Sequence, residues 1–128
     1  LLRFNLTKSI SLHAGGQWMD SENLSAIRAI NSKKLNGIYH QTYQTGLSFK
    51  THQHSWSLTY FHDNDMFFDA TNRNPAPTRK ILNTTYSWAY HAFIFTLNVN
   101  NLLDYRYFDF NFMPASGRSY STTISYNF

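Results

Sequence analysis

There is no cysteine among the 128 residues, which rules out disulfides, thiolate zinc sites and thiol nucleophiles. Charge is scarce too. Charged residues are 14% of the chain against 18% aromatics, the reverse of a disordered composition. No run approaches the ~18 apolar residues that a membrane-spanning helix requires. The net charge is +4, but the eleven Lys and Arg are scattered, and only the pairs Lys33, Lys34 and Arg79, Lys80 are adjacent. That distribution speaks against a nucleic-acid partner. The seven acids are dispersed, mainly through the polar connections, so neither a paired-carboxylate nor a Ser-His-Asp constellation is supported, and no enzyme activity is expected. The first residue is Leu and no leader peptide precedes it, so residues 1–128 are expected to be a piece of a longer protein.

What is abundant is alternation. Counting back from Phe128 in steps of two gives Tyr126, Ile124, Thr122 and Tyr120, while Asn127, Ser125, Thr123, Ser121 and Ser119 intervene. This is the period-two pattern of a strand between unlike environments. It recurs upstream. Ile10, Leu12, Ala14, Gly16 and Trp18 share one parity, as do Tyr39, Tyr43, Leu47 and Phe49 within 35–50. Trp56, Leu58 and Tyr60 follow, then Leu82, Thr84, Tyr86 and Trp88, then Phe93, Phe95, Leu97 and Val99. "LLRFN" reads as the tail of a further strand.

The connections alternate in length. Those near residues 7, 52 and 91 are short, and those near 27, 71 and 111 are long, which gathers all long loops at one end. The middle one contains Pro75 and Pro77 and cannot be a central strand. "ENLSAIRAI" in the first can form a helical turn. Short turns on one side and long loops on the other, joined by strands of about 9–11 residues, match outer-membrane barrels. The expected fold is all-β, an antiparallel meander of about six transmembrane strands. Trp18, Tyr43, Trp56, Tyr86, Phe95, Leu97, Ile124 and Tyr126 should share the convex, lipid-side face, with Gln17, Thr42, Ser57, Thr85, Thr96, Asn98, Thr123 and Ser125 on the concave side. Six strands are too few to close even a small barrel, which needs about 8. A soluble lipid-carrier barrel is the bland alternative, and three long loops on one side fit it poorly.

The segment "VNNLLDYRYFDFNFMPASGRSYSTTISYNF" resembles the C-terminal end of TonB-dependent outer-membrane receptors. Their N-L-F-D motif is matched by Asn101, Leu102 and Asp104, with Leu103 where Phe is usual; Tyr105, Arg106 and Tyr107 follow. Pro114, Gly117 and Arg118 match the proline and Gly-Arg elements, and Tyr120, Ile124, Tyr126 and Phe128 match the terminal barrel-insertion signal. The match is tight over about the last thirty residues, and upstream it is one of rhythm.

The resemblance implies that residues 1–128 are the C-terminal part of a barrel of the 22-stranded type, without its plug. It implies an outer-membrane location and active uptake of a scarce nutrient, most often a ferric siderophore, less often haem or cobalamin. The implied partners are outer-membrane lipid, the barrel-assembly machinery, the ligand, and TonB acting through the plug; no cofactor is implied. Ligand contact is then expected from Phe67, Phe68 and Arg73 in the middle loop and Tyr107, Phe110 and Phe112 in the last. Aromatic faces stack on planar chelators, and Arg73 can attract an anionic ferric complex. A passive porin-like or adhesin wall is the alternative. Six histidines raise a metal reading, but the tightest pair, His52 and His54, falls in a short turn without an acidic partner, so no metal site is expected.

Overall fold

The computed structural model describes residues 1–109 and 112–127; Phe110 and Phe128, both named above, lie outside the described residues. Seven strands form one sheet: β1 (Leu2–Asn5), β2 (Ile10–Trp18), β3 (Gln41–Lys50), β4 (His54–Asn64), β5 (Arg79–Tyr90), β6 (Phe93–Asn100) and β9 (Ser119–Tyr126). Two further short strands, β7 (Phe108–Asp109) and β8 (Met113–Pro114), pair inside the last long connection. Sheet order is β1-β2-β3-β4-β5-β6-β9 with every neighbouring pair antiparallel, so the chain is a meander without crossovers.

Register fixes which side chains share a face, because Cα partners across a ladder project to the same side. Phe49 pairs with Trp56, Trp56 with Tyr86, Tyr86 with Leu97; Phe95 pairs with Ile124 and Phe93 with Tyr126. Gly16 pairs with Tyr43, which puts Trp18 on the same side. All eight residues expected to share the apolar face do so. The opposite face carries Gln17 beside Thr42, Ser57 beside Thr85, Thr85 beside Asn98, and Thr96 beside Thr123. Hydroxyls and amides there bond across strands: Thr85 donates to the Asn98 side chain at 2.8 Å, and Ser87 and Thr96 share a bond at 2.9 Å.

The aromatic face is banded. Trp88, Tyr90, Phe93, Phe95 and Tyr126 form ring contacts near the short turns, including Trp88–Phe95 at 5.6 Å and Phe93–Tyr126 at 5.0 Å. Leu12, Leu47 and Leu58 lie in one register row toward the middle. Trp18 and Tyr43 meet edge-on at 5.2 Å toward the long loops. Thr84 looks misplaced on this face until its partners are followed. It accepts the Trp56 indole N–H at 2.8 Å and donates to the Ser57 carbonyl at 3.0 Å, so the indole is satisfied without water.

Only Met66 and Val99 are buried hydrophobics among the described residues, while Trp18 at 67% and Ile124 at 63% stand almost free. An apolar face this large without a covering layer is not the surface of a self-contained soluble domain. No helix among the described residues is long and apolar enough to cross a membrane, which says nothing about strands.

Two expectations shift in detail. The third strand starts at Gln41, not near Leu35; Tyr39 precedes it and packs against Arg79, a residue of the polar face. "ENLSAIRAI" yields one turn, closed by the Asn31 amide donating to the Ile27 carbonyl at 3.1 Å, within an otherwise irregular loop.

Candidate functional site

The long connections 19–40, 65–78 and 101–118 emerge at the same end of the sheet and are bonded to one another. The first two are laced by backbone and side chain alike. Lys34 donates its amide to Asn72 Oδ1 at 2.7 Å, and Asn72 returns Nδ2–H to the Lys34 carbonyl at 3.0 Å. Lys34 also forms an ion pair with Asp65. His40, only 1% exposed, donates Nδ1–H to the Asp65 carbonyl at 2.7 Å. Its Nε2 accepts the Ser21 hydroxyl at 2.5 Å, and Ser21 Oγ accepts the Leu35 amide at 3.2 Å. A neutral ring satisfies each of these partners.

Arg79, the first residue of β5, is the hub. Its Nε and Nη2 both reach Asp63 Oδ2 at 2.8 Å, and Asp63 is 4% exposed. The guanidinium lies 4.8 Å from the Tyr39 ring and 5.7 Å from the Tyr107 ring, so one cation touches aromatic faces from two different loops. Tyr105 stacks near Tyr107 and donates its hydroxyl to the Thr78 carbonyl at 3.0 Å. Burial pushes the Tyr39 phenol above its usual value despite the nearby guanidinium. Its buried hydroxyl has no hydrogen-bond partner among the described residues.

Asp69 builds the tip of the middle loop. Its Oδ1 accepts the Thr71 hydroxyl at 2.5 Å and the Thr71 and Arg73 amides at 2.8 and 3.2 Å, while Oδ2 accepts the Asn74 amide at 2.6 Å. These donors, the Thr71 hydroxyl foremost, hold its carboxyl down at about 2. A carboxyl depressed in the folded loop stabilises it above the usual carboxylate range, and the contribution is lost as pH falls through about 2. Pepsin cleavage beside Phe67 and Phe68, normalised to a free peptide, should therefore rise between pH 4 and pH 2. Asp69→Ala should show the raised rate at both pH values. A flat profile in the unsubstituted protein would remove this role from Asp69.

The N-L-x-D segment proves to be a knot that ends β6. Asn101, 4% exposed and at φ 53°, accepts the Tyr105 amide and donates to the Tyr105 carbonyl, both at 2.9 Å. Asp104, at φ 52°, receives the Arg118 amide at 2.8 Å and so ties the loop's exit to its entrance. The neighbouring Asn100 side chain makes no such bond among the described residues. Gly117 does not have a positive φ, and the need for glycine there has another cause. A Cβ there would sit 2.6 Å from Asp104 Oδ1, so glycine is required by close approach. Gly117→Ala should cost about 1–2 kcal/mol by displacing that carboxylate from the Arg118 amide. Adding it to Asp104→Ala should cost little more, as read by chemical unfolding of the full-length protein in detergent.

Of the six residues expected to contact ligand, Phe110 lies outside the described residues and the other five separate. Phe68 and Phe112 come together from different loops with centroids 4.4 Å apart, Phe112 being 60% exposed. Arg73 is exposed on the same loop as Phe68. Phe67 bridges to Pro75, and Tyr107 is held against Arg79. Sequence reading passed over Tyr39, Asp63 and Arg79. The one local hint was an aromatic just before a strand, and it pointed to the wrong face. Among the described residues no group of three or more His, Asp or Glu is arranged to hold a metal ion.

These features define a class: the chain is a stretch of the wall of a large outer-membrane-type β-barrel, with its long loops gathered at one end. It is similar in fold to the siderophore receptor PiuA from Acinetobacter baumannii, with TM-score 0.76 and 18% identity over 97% of this chain and 20% of that one. It matches BauA, the ferric preacinetobactin receptor of the same organism, with TM-score 0.76 and 18% identity over 98% and 21% of the two chains. The copper transporter OprC gives TM-score 0.78 at 12% identity, over 98% and 22%. The chain thus spans about a fifth of the length of these proteins, which are receptors and a transporter rather than enzymes. No family model and no curated protein sequence matches it.

Proposed function

We propose that residues 1–128 form part of the wall and outer loops of an outer-membrane receptor for TonB-coupled nutrient uptake, with a ferric siderophore as cargo. The carrying observation is the likeness in fold of nearly the whole chain to about a fifth of each of two siderophore receptors. The aromatic face then meets lipid, and its rings near the short turns form the inner interfacial girdle. The polar face lines the lumen. In this reading the plug and the segment that TonB grips belong to other parts of the protein, and residues 1–128 are the C-terminal part of the barrel.

The ring pair of half-buried Phe68 and exposed Phe112, with the exposed Arg73 on the same loop as Phe68, is the surface offered to cargo. Rings from two loops suit a planar chelate, and a guanidinium suits its negative charge. Cells producing the full-length receptor should accumulate iron from a ferric siderophore only while TonB is functional. Arg73→Ala combined with Phe68→Ala should cut accumulation roughly tenfold without lowering the amount of barrel in the membrane. Accumulation that ignores TonB would identify a passive porin-like wall instead. Unchanged uptake by the double variant would remove these loops from recognition.

A further inference from the structure

Cations on the aromatic face are few, and two basic groups fall side by side. Gly16, Tyr43, His62 and Lys80 form one continuous register row across β2 to β5. Next to it runs Ala14, Thr45, Tyr60 and Leu82. The small residues at Ala14 and Thr45 leave a depression between rings, lined by Ala14, Tyr43, Thr45, Tyr60 and His62 and overwhelmingly apolar. His62 stands at its end, 5.9 Å from the Tyr43 ring and 6.4 Å from the Tyr60 ring. Lys80 is exposed beside it.

The acids nearest these groups in sequence are committed elsewhere: Asp63 to Arg79 and Asp65 to Lys34. Among the described residues Lys80 has no ion pair. Height along the barrel matters as well. His62 is eight residues beyond His54, the first residue of β4. That is about 26 Å along the strand, or about 20 Å of height at a tilt near 40°. An apolar band about 25 Å tall therefore ends close to this row, where head groups begin.

We propose that this corner of the sheet binds a lipid with an anionic phosphate head group, the phosphate resting on Lys80 and His62 and one acyl chain lying in the groove over Ala14 and Thr45. The proposal rests on the reading of the aromatic face as membrane-facing. An uncompensated ammonium at that depth meets either water or phosphate, and only phosphate gives a reason for the apolar groove that leads to it.

The test uses the full-length receptor, purified in detergent, stripped of lipid, and offered phosphatidic acid or phosphatidylcholine. Retained lipid is read by mass spectrometry after desalting. Phosphatidic acid should be retained about fivefold better, the factor expected for one lysine's attraction to an anionic membrane surface. Lys80→Gln should abolish that preference and Lys80→Arg should keep it, whereas Ala14→Phe should lower retention of both lipids by filling the groove. Millimolar inorganic phosphate should not displace the lipid. Equal retention of the two lipids, a preference untouched by Lys80→Gln, or full displacement by inorganic phosphate would each overturn the site while leaving the barrel reading intact. A receptor that fractionates away from membranes would overturn both.

Discussion

Asp63→Ala should be the most damaging single substitution at the loop end of the sheet, lowering stability by about 3–5 kcal/mol. Asp63 receives two bonds from Arg79, and its side chain is 5% exposed against 31% for its partner. Removing the carboxylate leaves a guanidinium held between Tyr39 and Tyr107 without its counter-ion. Most of the loss is the cost of an unpaired, partly desolvated charge. Replacing both partners, Asp63→Ala with Arg79→Met, should therefore recover most of it. Tyr39→Phe should be nearly neutral, because the hydroxyl it deletes has no partner. Guanidinium unfolding of the full-length protein in detergent would measure all three. A double variant as unstable as Asp63→Ala would show that packing around Arg79, not its charge, holds the loops.

Gly46→Ala is the second large effect expected, about 1–3 kcal/mol from a single added methyl. Gly46 lies in β3 between His13 of β2 and Thr59 of β4. A Cβ on it would come within 2.5 Å of His13 Nε2 and 2.6 Å of the Leu58 carbonyl oxygen. The imidazole can swing aside, but a carbonyl in a paired strand cannot. His13→Ala added to Gly46→Ala should consequently recover only part of the loss. Full recovery would place the whole conflict in the ring.

The strands were legible because each carries its own signal. Trp56, Leu58 and Tyr60 announce a face within five residues, and matched parity across the ladders follows from the hydrophobic pattern itself, reinforced by tight turns at three of the six junctions. Loop lengths showed as well, through Pro75 and Pro77 and the polar run after Trp18. What escaped was every contact whose partners are distant in sequence and share no period. Tyr39 reaches Arg79, and Arg79 reaches Tyr107, by chance of loop path rather than by alternation. Tyr39 misled for a specific reason: its parity agreed with Tyr43, but the chain between them had not yet entered the sheet. Asp69 was one of several dispersed acids until four hydrogen bonds converged on it. Gly117 was legible as part of a motif but its physical reason was not, since a carboxylate approaching from Asp104 leaves no trace in local sequence.

The meander order has a kinetic meaning. Each strand pairs only with its immediate predecessor and successor in the sheet, and three of the six junctions are tight hairpins. Ladders of this kind demand little loop-closure entropy, so a hairpin such as β5–β6 can close in about 1–10 μs and then template its neighbour. The sheet is in effect a linear polymer of hairpins that lengthens one rung at a time, and what limits its growth is the supply of a free edge rather than any search for distant partners.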